Sequence, residues 1–395
     1  MEALFELHAK LVATSKRSFI RSLYDRIEWE HRLIGIIGAR GTGKTTLLLQ
    51  RIQKEYGRST EVLYVSLDHI WFSTHSLVDL VDGFTKAGGK ILFIDEVHKY
   101  SNWSVEIKNI YDFYPELKVV FTGSSLLEIL NARADLSRRA LTYEMQGLSF
   151  REYLNMVTDN EFPVINLETI LDNHVNLSGD ISQSVKPLKY FPDYLRSGYY
   201  PFFKDFKELY GMQVRAIINL IIEIELPLLR KVDIAYANKI KQLLSIIAEA
   251  VPFVPNVSNL SRKIGINRQT LLAYLHYLDE SRLTKSIYRE TQGVSLLQKP
   301  EKLYLENTNL SFALGNNVNI GNLRETFLLN QLSYSHAVTY PEKFDFLVDQ
   351  TYLFEIGGKD KKVAQSENQP IYVAADDIEV GFGKKIPLWL FGFLY

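Results

Sequence analysis

Not one of the 395 residues is a cysteine. That absence excludes disulfides, thiol catalysis and Cys-based zinc sites together, and it fits a reducing compartment, so the cytoplasm is the expected location. Charge of one sign is lacking too: 45 Lys and Arg stand against 46 Asp and Glu, a formal net charge of −1. A chain so balanced has no global electrostatic claim on nucleic acid, and any DNA contact needs a local basic patch. Long apolar runs are also missing. The most membrane-like stretch, AIINLIIEIELPLL, is broken by Glu223, Glu225 and Pro227 and falls short of the roughly 20 apolar residues that cross a bilayer. It predicts a buried helix, and the protein is expected to be soluble. The N-terminal MEALFELHAKLVATSKRSFI mixes charged and apolar residues every few positions, without the apolar core of a secretion signal, and predicts an amphipathic helix.

What is present is enough apolar residue to fold: 46% hydrophobic against 23% charged. At roughly 150 residues per domain the length predicts two to four units. RLIGIIG is a short Ile-rich run ending in glycine and followed by a good helix former, the grammar of strand, loop and helix. Between them lies GARGTGKTT, residues Gly38, Ala39, Arg40, Gly41, Thr42, Gly43, Lys44, Thr45 and Thr46. It matches G-x-x-x-x-G-K-[ST] at every fixed position. Glycines let the backbone curl so that successive N–H groups point at phosphate oxygens, and the helix that follows adds its positive end. Lys44 is expected to reach the β- and γ-phosphates of ATP, and the Thr45 hydroxyl to ligate Mg²⁺.

A phosphate loop alone does not imply hydrolysis. KILFIDEVHKY supplies the next element, a buried strand over Ile91 to Ile94 with Asp95 and Glu96 at its carboxyl end, which is where parallel sheets bind ligands. Asp95 suits Mg²⁺, and Glu96 is the residue type that polarises a water for attack on the γ-phosphate. ELKVVFTGSS is a further strand ending in Gly123, Ser124 and Ser125. Either serine hydroxyl can hold that water or the γ-phosphate, and pattern does not tell Ser124 from Ser125. With EVLYVSLD, ending near Asp68, and RALTYEMQ, five strands alternate with helical patterns, which predicts a doubly wound α/β sheet.

GARGTGKTT, IDEVHKYSNW, FTGSSLLEIL and SRRALTYEMQGLSFREYL, in that order, resemble the prokaryotic AAA+ ATPases that carry a winged-helix module and a degenerate PD-(D/E)XK nuclease-like C-terminal domain. The resemblance is most specific in the first 155 residues and implies a P-loop NTPase fold of the additional-strand type with helices on both faces. It makes Ser124 the sensor position and makes Arg138 and Arg139 candidates for an arginine finger, an always-charged fork that reaches a neighbour's γ-phosphate and implies a homo-oligomer. It also implies four domains: the ATPase domain over 1–150, a helical lid and connector over 151–238, a winged helix-turn-helix over 239–292 and a small α+β nuclease-like domain over 293–395.

The later residues carry their own signals. The aromatic FPDYLRSGYYPFF has nothing basic interleaved, so its rings are expected to pack, not to stack on bases. From IKQLL onward the pattern reads helix, short helix LSRKIG, turn, then RQTLLAYLHYLDES with apolar residues at 271, 272, 275 and 278, a good winged helix. Its recognition helix, Asn267 to Ser281, offers only Arg268 against Asp279 and Glu280, so a protein client or clamp role is favoured over DNA. In the last hundred residues Glu325, Asp345 and Glu355 match the acids of the nuclease pattern. If Asp349 to Thr351 forms a three-residue turn, 345 faces 355 across two strands, and Mg²⁺ is the natural cation between them. The pattern wants Glu-x-Lys, whereas the chain reads Glu355-Ile356-Gly357, with Lys359 two residues on and Lys343 where relatives often carry an acid. A degenerate site follows. GKKIPLWLFGFLY is expected to supply final core strands.

Three functions fit these residues: an ATP-dependent molecular switch, with Lys44, Glu96, Ser124 and Arg139 as its catalytic set; an ATP-gated, metal-dependent nuclease; and a nucleotide-bound scaffold that does not hydrolyse. The intact Asp95-Glu96 pair favours the first. ATP or ADP is the expected ligand, and the client is not written in the sequence.

Overall fold

The computed structural model describes residues 1–15, 19–123, 136, 138–158, 160–230, 232–250, 252–289, 299–315, 318–364 and 369–395. They fall into two compact units, Met1–Gly147 and Leu148–Tyr395.

The first unit is a five-stranded sheet in the order β2-β3-β4-β1-β5, built from Leu33–Ile37 (β1), Val62–Ser66 (β2), Ile91–Asp95 (β3), Lys118–Gly123 (β4) and Leu141–Glu144 (β5). Every pairing is parallel. Parallel strands need crossover connections, and the helices that make them cover both faces. Strand periodicity divides the apolar side chains accordingly. Leu33, Ile37, Leu63, Val65, Leu92 and Ile94 pack on one face with Leu80, Phe84 and Ile107. Ile34, Ile36, Val62, Tyr64 and Phe93 pack on the other with Leu47, Leu48 and Ile52. Each such buried aliphatic side chain stabilises by about 1.5–3 kcal/mol. The order puts β4 between the phosphate-loop strand β1 and the acid-bearing strand β3, the additional-strand arrangement of P-loop ATPases.

The N-terminal residues do form a helix, Glu2–Thr14, which buries Leu4, His8 and Val12 on one face. It runs along the outer strand: Nδ1 of His8 accepts a hydrogen bond from the backbone N–H of Tyr64 at 2.9 Å.

The second unit opens with helices Phe150–Thr158, Leu167–Ser184 and Pro187–Ser197. The aromatic segment packs as expected: Phe191, Tyr194, Tyr199, Tyr200 and Phe203 are buried, and Phe150 meets Phe191 edge to face at 5.2 Å. Asn309 pins this segment, accepting from Tyr199 N–H at 2.8 Å and donating to the carbonyl of Leu195 at 2.8 Å. Helices Ala237–Glu249, Val257–Ile264 and Arg268–Glu280 follow, then an antiparallel pair, Thr284–Ile287 (β6) with Lys302–Leu305 (β7). Leu271, Leu272, Leu275 and Leu278 are all buried. A second sheet, β12-β11-β10-β9-β8, contains Val338–Thr339 (β8), Phe346–Val348 (β9), Tyr352–Gly357 (β10), Ile371–Ala375 (β11) and Lys385–Pro387 (β12).

Two local expectations are corrected. The stretch AIINLIIEIELPLL is helical through a π turn at Ile221–Glu225, but it is not buried all round: Ile222 and Leu226 are covered while Leu228 is 71% exposed. Its apolar residues exceed what one helical face can hide. The C-terminal GKKIPLWLFGFLY gives only the three-residue β12, and Leu388–Phe393 turn as a 3₁₀ helix. Every side chain from Leu388 to Leu394 is buried, so the alternation that a one-sided strand requires is missing. At Gly392 a Cβ would collide with Phe150.

Candidate active site

The phosphate loop joins β1 to the helix Lys44–Glu55, whose N-cap Gly43 has φ 99° and ψ 21°, a left-handed conformation that costs glycine nothing. Gly38 answers a different need. A Cβ there would run into the backbone carbonyl of Met145, so only glycine lets the loop leave β1 beside the end of β5. Thr42 Oγ1 donates to Ala39 O at 3.0 Å, and Lys44 Nζ donates to the carbonyls of Gly38 and Ala39 at 2.9 and 2.7 Å. Arg21, which sequence reading passed over, supports the loop from behind: it donates to Thr42 O at 2.7 Å, Gln146 O at 2.8 Å and Gly147 O at 2.9 Å. Nothing in its local pattern marks it, because its partners are backbone carbonyls far along the chain.

Asp95 is the hub of the site. It is 2% exposed, and three hydroxyls converge on its carboxylate. Thr45 Oγ1 donates to Oδ2 at 2.6 Å and Tyr64 OH to the same oxygen at 2.8 Å, while Thr122 Oγ1 bonds Oδ1. Burial, followed by the negative charge of Asp95, drives the Tyr64 phenol upward, so it stays protonated and donates to Asp95. Tyr64 and Thr122 were missed in the sequence, since only the strand order sets β2 and β4 on either side of β3.

Glu96 follows with φ 54° and ψ 41°, a left-handed backbone that costs a non-glycine residue about 1 kcal/mol or more. Its N–H donates to Thr122 Oγ1 at 3.3 Å. Its carboxylate lies 3.3 Å from Nε2 of His98 and 3.8 Å from the guanidinium of Arg40. Burial, reinforced by the charges of Lys99, Lys44 and Arg40, depresses His98 to about 3. The imidazole is therefore neutral at pH 7, and because a carboxylate has no proton to give, the contact requires the tautomer with hydrogen on Nε2.

Other predicted residues are placed differently. Ser124 and Ser125 lie outside the described residues. Arg139 forms a two-point contact with Asp112, Nε to Oδ1 and a terminal nitrogen to Oδ2, both 3.0 Å. In the second unit the turn after β9 gives the pairs Val348↔Tyr352 and Phe346↔Phe354, and Asp345 N–H donates to Phe354 O at 3.1 Å, so Asp345 faces Glu355. Glu325, on the helix Ile320–Leu332, stands near enough for Asp345 to raise its pKa, behind the larger effect of burial. Among the described residues, however, no group of three or more His, Asp or Glu is arranged to hold a metal ion. Lys359 does not stand in for the motif lysine, because β10 ends at Gly357; its carbonyl accepts from Lys385 Nζ at 2.7 Å.

Residues 30–154 match the family described as an AAA domain. The uncharacterized protein MJ1637 of Methanocaldococcus jannaschii is 28% identical over 303 residues, 69% of this chain; the chain spans 62% of that relative's length. Similar solved structures include AMPPCP-bound DnaA from Aquifex aeolicus (13% identity, 70% of this chain and 87% of that one, TM-score 0.29). The Hsp104–ADP complex of S. cerevisiae is another (16% identity, 71% and 41%, TM-score 0.28). Superpositions that loose carry no argument, and the fold rests on strand order and loop geometry. Among the described residues no helix is long and apolar enough to cross a membrane. Residues 30–154 thus match an AAA-domain model and fold as a five-stranded parallel sheet of the P-loop type with a complete phosphate-loop motif.

Proposed function

We propose that residues 1–150 bind and hydrolyse ATP and that the protein is a molecular switch, its nucleotide state governing a helical lid (151–238), a winged helix (239–292) and a nuclease-like module (293–395). One observation carries the reading: Asp95 is tied at once to Thr45 beside Lys44 and to Thr122, which also receives the Glu96 N–H. Phosphate loop, acid strand and sensor strand thereby share one hydrogen-bonded cluster. Lys44 and the loop N–H groups bind the phosphates, and Glu96 accepts the proton of the attacking water. The donors fit a hard cation: the Thr45 hydroxyl and Asp95 carboxylate are oxygens 2.6 Å apart, the ligand type Mg²⁺ takes. When bound, Mg²⁺ supplies charge neutralisation at the phosphates. Arg139 is the candidate finger toward a neighbouring copy, and a protein client is the favoured partner of the winged helix.

Phosphate release by wild type, Lys44→Ala and Glu96→Gln tests this. Lys44→Ala should lose nucleotide binding, and Glu96→Gln should retain ATP without turning it over. Equal phosphate release from wild type and Glu96→Gln would remove Glu96 from its role.

A further inference from the structure

Position 357 is where an in-strand lysine is missing, and a different lysine fills the space. A Cβ on Gly357 would lie 2.7 Å from Cβ of Lys361, 2.9 Å from its Cγ and 3.1 Å from its Cδ. The methylene stem of Lys361 therefore lies flat against bare backbone, an approach that any side chain at 357 would block. A tight turn brings it back, with Lys361 N–H donating to Gly358 O at 3.0 Å. Its ammonium ends 3.5 Å from Glu355 Oε1.

One oxygen of each of the other two acids is engaged as well. Glu325 Oε2 accepts the Tyr304 hydroxyl at 2.6 Å and has Lys302 Nζ at 3.9 Å. Asp345 Oδ2 accepts the N–H of Ile356 at 2.8 Å. Three carboxylates facing one another demand positive charge, and two ammonium groups supply it here. A divalent ion such as Mg²⁺, which the nuclease-like pattern implies, does not fit acids that each already give one oxygen to these partners, and among the described residues no group of three or more acids or histidines is arranged to hold a metal ion.

We propose that Lys361 is a tethered cation: seated on Gly357, it occupies with Lys302 the electrostatic position of a divalent metal ion, so that Glu325, Asp345 and Glu355 form a masked site for a hard, oxygen-seeking cation. The native module is metal-free, and the lysine that neutralises Glu355 also clips the segment after β10 onto the sheet. Lys361 and all three acids belong to the second unit, and the masking does not depend on ATP hydrolysis.

The test is Mn²⁺ titration of the whole chain without nucleotide, following the free-ion electron paramagnetic resonance signal, in wild type, Lys361→Met and Lys361→Arg, each with and without Glu355→Gln. Removing a fixed ammonium a few ångströms from the acids should strengthen Mn²⁺ binding by at least about tenfold. The gain should vanish in Lys361→Met with Glu355→Gln, and Lys361→Arg should behave as wild type. If Lys361→Met does not fold, Gly357→Ala answers the same question by displacing the lysine stem. Glu355-dependent Mn²⁺ binding in wild type as strong as in the variant, or no gain on unseating Lys361, overturns the proposal.

Discussion

Nε2 of His98 stands 3.3 Å from the Glu96 carboxylate, and burial keeps that imidazole neutral down to about pH 3. His98 is therefore a neutral N–H donor toward the glutamate.

His98→Leu should lower kcat for ATP hydrolysis by about 10- to 100-fold, the usual effect of misplacing a catalytic group by an ångström, with KM unchanged. His98→Gln, whose amide can donate from a similar position, should recover most of the loss. Because His98 does not titrate near neutrality, the pH profile should keep its shape in His98→Gln. Loss of kcat in Leu and Gln variants alike would reduce the residue to packing.

Left-handed backbone at Glu96 sets stability against chemistry. Glu96→Gln should reduce turnover by about 10²- to 10⁴-fold, the range of a lost general base. Glu96→Gly should be equally inactive yet more stable than Glu96→Ala by about 1 kcal/mol, since only glycine occupies that region without strain. Urea unfolding of the three variants measures the difference.

Thr122→Val removes one partner of Asp95 Oδ1 and the acceptor of the Glu96 N–H. It should destabilise by about 1–3 kcal/mol, the cost of stranding buried polar groups, and it should also slow hydrolysis, because both acids lose an anchor. Tyr64→Phe removes only a hydroxyl from Asp95 Oδ2 and should cost stability while leaving KM for ATP near wild type. Equal behaviour of the two variants would show that the Asp95 cluster acts as a single structural unit.

Burial lowers His8 below its ordinary value, and it lowers His98 further. In the unfolded chain both protonate near pH 6.5, so below that pH the unfolded state binds more protons than the folded one. Stability is then full above about 6.5 and falls as the pH drops toward the folded-state values. His8→Gln should flatten the upper part of that decline in a series of thermal melts, and a decline identical to wild type would exclude His8 as a contributor.

How much of this was legible depended on whether a partner is local. GARGTGKT and the Asp95-Glu96 pair were readable because the chemistry needs fixed spacings within one loop or strand end. The Asp345 to Glu355 register was readable only on the condition of a three-residue turn, a condition the pairing of Val348 with Tyr352 meets. Tyr64, Thr122 and Arg21 were not, because each acts on a residue brought near only by strand order or by a distant carbonyl. Lys361 escaped for a related reason: extending β10 past Gly357 pointed to Lys359, whereas the strand stops and a turn carries the next lysine but one back over the glycine. Leu388–Phe393 misled because complete burial erases the period that separates strand from helix.

The N-terminal helix has a consequence beyond its packing. β2 is the outermost strand of its sheet, and an uncovered outer strand invites a foreign strand to pair with it. By taking the Tyr64 N–H, His8 covers part of that margin while its ring is neutral, and a ring protonated at Nδ1 could no longer accept that hydrogen bond.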